Sequence, residues 1–155
     1  MDHNNLRDEI SKFLKFDISD ISPQFETTTI TEEEGYSRLL ICYGDGEGGN
    51  IPAYLLLPEG RGPFPAVLVQ HQHNSQWHLG KSEVIGLAGD PLQAFGLALV
   101  KKGIVVLAPD SICFADRRQN QPGLEPDEAG DWLQHYNEMS YRLLSGDSLI
   151  IFIVF

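Results

Sequence analysis

Apolar residues change rhythm along the chain, and each rhythm predicts an element. Leu6, Ile10, Phe13 and Leu14 recur at i, i+4, i+7 and i+8, one face of a short amphipathic helix. Pro23 closes that segment. The runs Phe25 to Ile30, Tyr36 to Tyr43 and Ile51 to Leu57 are rich in Thr, Ile, Tyr and Leu and predict three strands. Gly44-Asp45-Gly46-Glu47-Gly48-Gly49-Asn50 suits a hairpin connection, so the first third reads as an antiparallel meander.

The rhythm shifts after Pro58-Glu59-Gly60-Arg61-Gly62-Pro63. Ala66-Val67-Leu68-Val69 and Ile104-Val105-Val106-Leu107-Ala108 are apolar without alternation, as expected of parallel strands covered on both faces. A helix is predicted between them. Asp90 can cap it, Pro91 suits its first position, and Gln93 completes an Asp-x-x-Gln capping box. Leu92, Phe95 and Leu99 are expected on its buried face and Gly103 at its C′ position. Strand, helix and strand make a right-handed βαβ unit. A second helix is expected from Glu128 to Ser145, closed by Gly146. Its stripe of Trp132, Tyr136, Met139 and Leu143 reads as core packing.

The expected organisation is an amphipathic helix over 1–20, one α/β domain over 21–149 and an aberrant apolar tail over 150–155. The tail, Ile150 to Phe155, is an uncapped apolar hexamer. It reads either as a buried C-terminal strand or, because such a terminus is an aggregation hazard, as the product of a frameshift, a premature stop or a deliberate truncation. At 155 residues the chain is long enough for one buried core. A net charge of -11 argues against a nucleic-acid partner, which needs Lys and Arg to displace counterions. Glu32, Glu33 and Glu34 read as a solvated turn rather than a cation site. The first residues have no cationic and apolar leader, and no apolar run reaches membrane-span length. Cys42 and Cys113 lack CxxC spacing and read as reduced thiols, so the expected compartment is the cytoplasm.

The chemistry concentrates after the first parallel strand, in His71-Gln72-His73-Asn74-Ser75-Gln76-Trp77-His78-Leu79-Gly80-Lys81-Ser82-Glu83. A connection of this length in a compact domain is functional or disordered, and its His, Trp and Asn content argues for function. The second parallel strand ends in Pro109-Asp110-Ser111, followed by Cys113, Asp116, Arg117 and Arg118. Open α/β sheets bind ligands at the carboxyl ends of their strands, so a crevice is expected where these two segments meet.

Several stretches resemble the dienelactone-hydrolase and acetyl-xylan-esterase-like branch of the α/β-hydrolases. They are Ile51 to Pro58, Pro63 to His71, Gly80-Lys81-Ser82-Glu83, Gly103 to Asp110 and Asn137 to Gly146, in order between about Phe25 and Leu149. The resemblance implies an incomplete α/β-hydrolase sheet, a meander plus a parallel βαβ unit with helices on both faces. It also implies ester hydrolysis through an acyl-enzyme, a small-molecule ester substrate and no cofactor. The loop after His71 would be the oxyanion loop, with the backbone N–H of Gln72 or His73 as donor. His71, Asp110 and Arg117 would line the substrate pocket, with Asp110 and Arg117 as a structural ion pair. The plain alternative makes His71 and His73 loop residues bonded to backbone.

The chain departs from the family where the chemistry should be. No Ser or Cys stands in G-x-S-x-G or G-x-C-x-G. Ser82 has Val84 in place of the second Gly, Ser148 has Ile150, and Cys113 sits in Ser111-Ile112-Cys113-Phe114-Ala115. Without nucleophile, triad acid or triad His, the chain is expected to be inactive alone. Two other classes compete. One is a metal-dependent hydrolase using His71, His73 and His78, with Asp110 or Asp116 as a further ligand. The other is a non-catalytic ligand-binding module. A sheet lacking its remaining strands would also leave an edge open to self-association.

Overall fold

The computed structural model describes residues 6, 8, 9, 12, 24–44, 49–121 and 123–146. Leu6, Asp8, Glu9 and Lys12 are helical. The other positions of the expected N-terminal helix lie outside the described residues, as does the apolar tail 150–155.

Among the described residues, five strands form one mixed sheet: β1 (Phe25–Glu33), β2 (Tyr36–Gly44), β3 (Asn50–Pro58), β4 (Ala66–Leu68) and β5 (Val105–Pro109). Their order is β1-β2-β3-β5-β4. β1, β2 and β3 form the antiparallel meander, with Gly44 opposite Asn50 across the hairpin. β5 inserts between β3, which it pairs antiparallel, and β4, which it pairs parallel. The Glu32–Glu34 trio is not wholly a turn. β1 runs through Glu33, which pairs with Arg38 at 2.9 Å, and Glu32 accepts from the Ser37 hydroxyl at 2.7 Å.

The core lies on the face built by Leu56, Val69, Val106 and Ala108, sealed by Val84, Ile85 and Val100. Full burial of one such aliphatic side chain contributes roughly 1.5–3 kcal/mol. Of the two apolar runs expected to be covered on both faces, β5 has its backbone paired on both sides, while β4 is an edge. Ala66 is exposed, and Val67 and Leu68 are half-buried. Its apolar composition exceeds what the described neighbours cover.

The crossover from β4 to β5 contains α1 (Lys81–Val84) and α2 (Phe95–Val100). Asp90 Oδ1 accepts from the Leu92 N–H at 2.9 Å, but it caps a 3-10 turn, Pro91–Gln93. Ala94, at φ -77 and ψ 42, leaves the helical region before α2 begins. That break turns the predicted face away: Leu92 and Phe95 are exposed, and the helix buries Gly96 and Val100 with Leu97 and Leu99 beside them. Gly96 is required at this contact, because a Cβ there would stand 2.6 Å from the Val84 carbonyl oxygen. Gly103, at φ +80, closes the helix in a Schellman motif, its N–H bonding Val100 O and that of Ile104 bonding Leu99 O.

The last helix, α3 (Glu128–Ser145), has the predicted bounds, an Asp127 side-chain cap on the Gly130 N–H and left-handed Gly146 at its end. Of its stripe only Met139 is half-buried, lining a cavity. Trp132, Tyr136 and Leu143 are more than half exposed, and α3 makes no substantial contact with any strand. The helix has the periodicity of a core-facing element, but nothing among the described residues covers that face.

Candidate functional site

The loops leaving β4 and β5 meet beyond the carboxyl ends of the parallel strands. Ala115 N–H donates to Trp77 O at 2.7 Å, and Ser111 N–H donates to His71 Nε2 at 3.1 Å. Among the described residues, four non-glycine positions have positive φ: Asn74 (30) and Ser75 (53) in the first loop, Cys113 (64) and Ala115 (40) in the second. Such backbone costs on the order of 1–3 kcal/mol per residue and collects where a structure positions groups for function.

A buried charge cluster fixes the two loops together. Lys81 is 1% exposed and Asp110 0%, and their side chains meet at 2.5 Å. Lys81 also reaches Asp116 at 2.6 Å, and its backbone N–H donates to Asp110 Oδ1 at 2.8 Å. Burial raises the Asp110 carboxyl to about 6 against the pull of Lys81. The Lys81 ammonium is held above its ordinary range because Asp110 and Asp116 outweigh its desolvation. Gly80, at φ +47, permits the approach. A Cβ there would overlap the Asp110 carboxylate and stand 2.8 Å from the Ala115 Cβ.

The structure separates the sequence-predicted residues into two groups. His71, Gln72 and His73 line one cavity of about 310 Å³ with Gln70, Ser111 and Phe114, and α3 adds His135 and Met139. Asp110 is fully buried behind it with Lys81 as its ion partner, and Arg117 Nη1 reaches the Asp110 backbone carbonyl at 3.4 Å rather than its carboxylate. Lys81 and Glu83, within the Gly80-Lys81-Ser82-Glu83 stretch, and His135 carry no site role in the sequence reading. A lysine and a glutamate in a polar loop carry no mark of burial, and His135 is one polar residue on a helix. The Gly80-Lys81 dipeptide, a glycine beside a long cation, was the one local signal.

His71 has both ring nitrogens engaged. Nε2 accepts from Ser111, so Nδ1 carries the proton and donates to Gln72 O at 2.9 Å. Burial holds its pKa below the ordinary histidine range, which keeps the ring neutral. The Gln72 amide donates to both oxygens of Glu83 at 3.2 and 3.1 Å, anchoring the loop from below. His73 Nε2 faces His135 Nε2 at 3.1 Å, so one ring donates to the other and the pair ties the loop to α3. The backbone N–H groups of Gln72 and His73 have no acceptor among the described residues. Gln70 also lines the cavity, and its Oε1 is buried without a partner among the described residues.

The three histidines weighed as zinc ligands are not assembled. His71 Nε2 is held by Ser111, and no group of three His, Cys, Asp or Glu among the described residues is placed to hold a metal ion. Cys42 and Cys113 are free thiols, and burial raises Cys113 to about 12, which makes it a packed group and not a nucleophile. No helix among the described residues is long and apolar enough to cross a membrane.

No family model matches the chain. It is 41% identical over 107 residues to YtaP of Bacillus subtilis (strain 168), a protein provisionally assigned as a hydrolase. That match covers 66% of this chain and 35% of YtaP, so the chain spans about a third of the curated relative's length. Its fold matches that of a Bacteroides fragilis protein provisionally assigned as an acetyl xylan esterase. The TM-score is 0.69 at 19% identity, over 96% of this chain and 38% of the other. Acetyl xylan esterase 1 of Thermoanaerobacterium sp. JW/SL YS485 aligns with 79% of this chain and 32% of its own, at 18% identity and a TM-score of 0.49. The chain has the fold of an incomplete α/β-hydrolase sheet, a meander plus a parallel βαβ unit.

Proposed function

We propose that this chain supplies the oxyanion loop and one pocket wall of a carboxylic-ester hydrolase that works through an acyl-enzyme. The nucleophile, triad acid and triad histidine would come from polypeptide outside these 155 residues. The observation that carries the reading is that Gln72 and His73 line a cavity at the carboxyl ends of the parallel strands and that their backbone N–H groups have no acceptor among the described residues. Donors of this kind stabilise the negative charge that develops on an ester carbonyl oxygen, and loss of one costs about 10²–10³ in rate.

Each remaining predicted residue takes a role by its position. Neutral His71, locked between Ser111 and Gln72, holds the loop backbone in place and forms the pocket floor. His73 closes the wall with His135. Asp110 and Arg117 support the loops from behind and would not touch substrate. The cavity of about 310 Å³ suits a small-molecule ester. Free thiols fit a reducing compartment such as the cytoplasm.

Turnover of p-nitrophenyl acetate by the purified chain, with and without a metal chelator, tests the proposal. The expected result is no hydrolysis above buffer under either condition. Robust turnover would show that the chemistry lies within these residues, and its loss on chelation would place it on the histidines.

A further inference from the structure

We infer that His73 Nε2, His135 Nε2 and the Met139 thioether form a binding site for one copper(I) ion at the wall of the cavity beyond the parallel strands. The inference goes beyond the esterase reading and does not rest on it.

The two histidines come from different elements, His73 from the loop after β4 and His135 from α3, and their Nε2 atoms converge at 3.1 Å. A first-row metal ion bonds an imidazole nitrogen at about 2.0–2.1 Å. Two such nitrogens on one ion stand about 2.9 Å apart at a right angle and about 3.4 Å apart at the tetrahedral angle. The observed spacing lies between these values, so an ion that takes the place of the shared proton needs little movement of either ring. As a structural tie the contact is incomplete, because His135 Nδ1 is buried without a partner among the described residues. Met139 follows His135 at i+4, on the same side of α3. It is half-buried and lines the same cavity as both rings.

The donor chemistry selects the ion. No residue lining the cavity is acidic or a cysteine, so the ligand set is neutral. Burial holds His135 below the ordinary histidine range, with His73 adding to the shift, which leaves the ring unprotonated and able to ligate near neutral pH. The Trp77 and Phe114 rings stand against His73 at 5.9 and 5.4 Å and against His135 at 6.1 and 6.0 Å. Beside such apolar groups a divalent ion with no anionic ligand keeps its whole charge uncompensated, and a monovalent ion carries half of it. Imidazole with thioether is a soft set that suits copper(I), whereas hard ions select oxygen. His73 is exposed, which gives the ion a way in. His71 takes no part, since its Nε2 stays with the Ser111 N–H.

Anaerobic titration with copper(I), kept reduced by ascorbate and buffered by the chromophoric chelator bicinchoninate, tests the inference. The full 155-residue chain is used with Cys42→Ser, which removes a half-buried free thiol. One ion per chain is expected. His73→Asn, His135→Asn and Met139→Leu should each weaken binding at least about tenfold, and His78→Asn should leave it unchanged. Met139→Leu conserves volume and helix propensity, so a loss there does not report unfolding. X-ray absorption at the copper edge should show nitrogen and sulfur ligands, with the sulfur gone in Met139→Leu. Failure to bind one ion per chain, an affinity unmoved by the histidine variants, or Met139→Leu binding as tightly as its parent would each overturn the inference.

Discussion

The sheet and α3 are held in place by opposite means. β3 and β5 bury aliphatic side chains against α1 and α2, and the polar backbone of β2, β3 and β5 is paired strand to strand. α3 leaves its aliphatic and aromatic face exposed and is fixed by side-chain polar contacts. Arg118 is 4% exposed and Asp131 1%, joined by two bonds of 2.8 and 2.7 Å, while the second Arg118 nitrogen donates to Gly123 O and Glu125 O. A hydrophobic contact tolerates small shifts, whereas a buried guanidinium fork specifies one geometry and fails sharply when broken. The sheet is therefore the stable unit, and α3 is an attached lever whose position relative to the cavity depends on a few polar atoms.

The largest effect should come from the charge cluster between the two regions. Lys81→Met leaves the Asp110 carboxyl buried without its cation, a change that costs about 3–5 kcal/mol in comparable buried pairs. The urea midpoint should fall accordingly, and Lys81→Met with Asp110→Asn should recover part of the loss because no charge is then buried. A midpoint unchanged by Lys81→Met would mean that the cluster does not hold the loops.

Arg118→Met separates the regions more cleanly. Asp131 loses its partner at the start of α3, and the helix should detach without unfolding the sheet. Hydrogen exchange should then speed up at α3 amides by at least about tenfold, a loss of about 1.4 kcal/mol of local protection, while β3 and β5 keep theirs. Uniform loss across both regions would show that helix and sheet unfold as one unit.

How much of this was legible in the sequence follows the same division. The meander, the βαβ unit and the bounds of α3 were readable, because apolar period, caps and glycines are local signals. The loop after His71 stands out in the sequence, since its length and composition break the pattern around it, and His71, Gln72 and His73 line a cavity. The partners within the site were not. Asp110 was matched with Arg117 by charge and proximity in sequence, but the cation that reaches its carboxylate comes from 29 residues earlier, placed there by the crossover. The α3 stripe was assigned to the core because periodicity reports what a helix is built to bury, and does not report whether the covering surface is present. The break at Ala94, with no glycine or proline at that position, moved the buried face of α2 to Gly96 and Val100.

Acid should loosen α3 specifically. Burial holds His135 below the ordinary histidine range, with His73 adding to the shift. A histidine depressed in the folded state makes no difference above the unfolded value of about 6.5 and lowers stability as pH falls below it, because the unfolded chain takes up the proton first. Asp110, raised by burial to about 6, acts with the opposite sign over part of the same window. The diagnostic quantity is therefore the difference between the native chain and His135→Asn. Native α3 amides should lose protection between about pH 7 and 5, and the variant should show a flatter profile. Identical profiles would remove the His73–His135 contact from the list of polar ties holding the helix.

The smallest expected effect is on the exposed strip, and it sharpens the comparison most. Leu144→Glu replaces an aliphatic side chain that is 88% exposed, so the isolated chain should change by no more than about 0.5 kcal/mol in urea unfolding. Val106→Ala in the sheet, at a position with no exposure, should cost several times more, through lost burial and the cavity left behind. If Leu144→Glu instead destabilises the chain by as much as Val106→Ala, the strip is covered in solution, and α3 is a packed element like the strands.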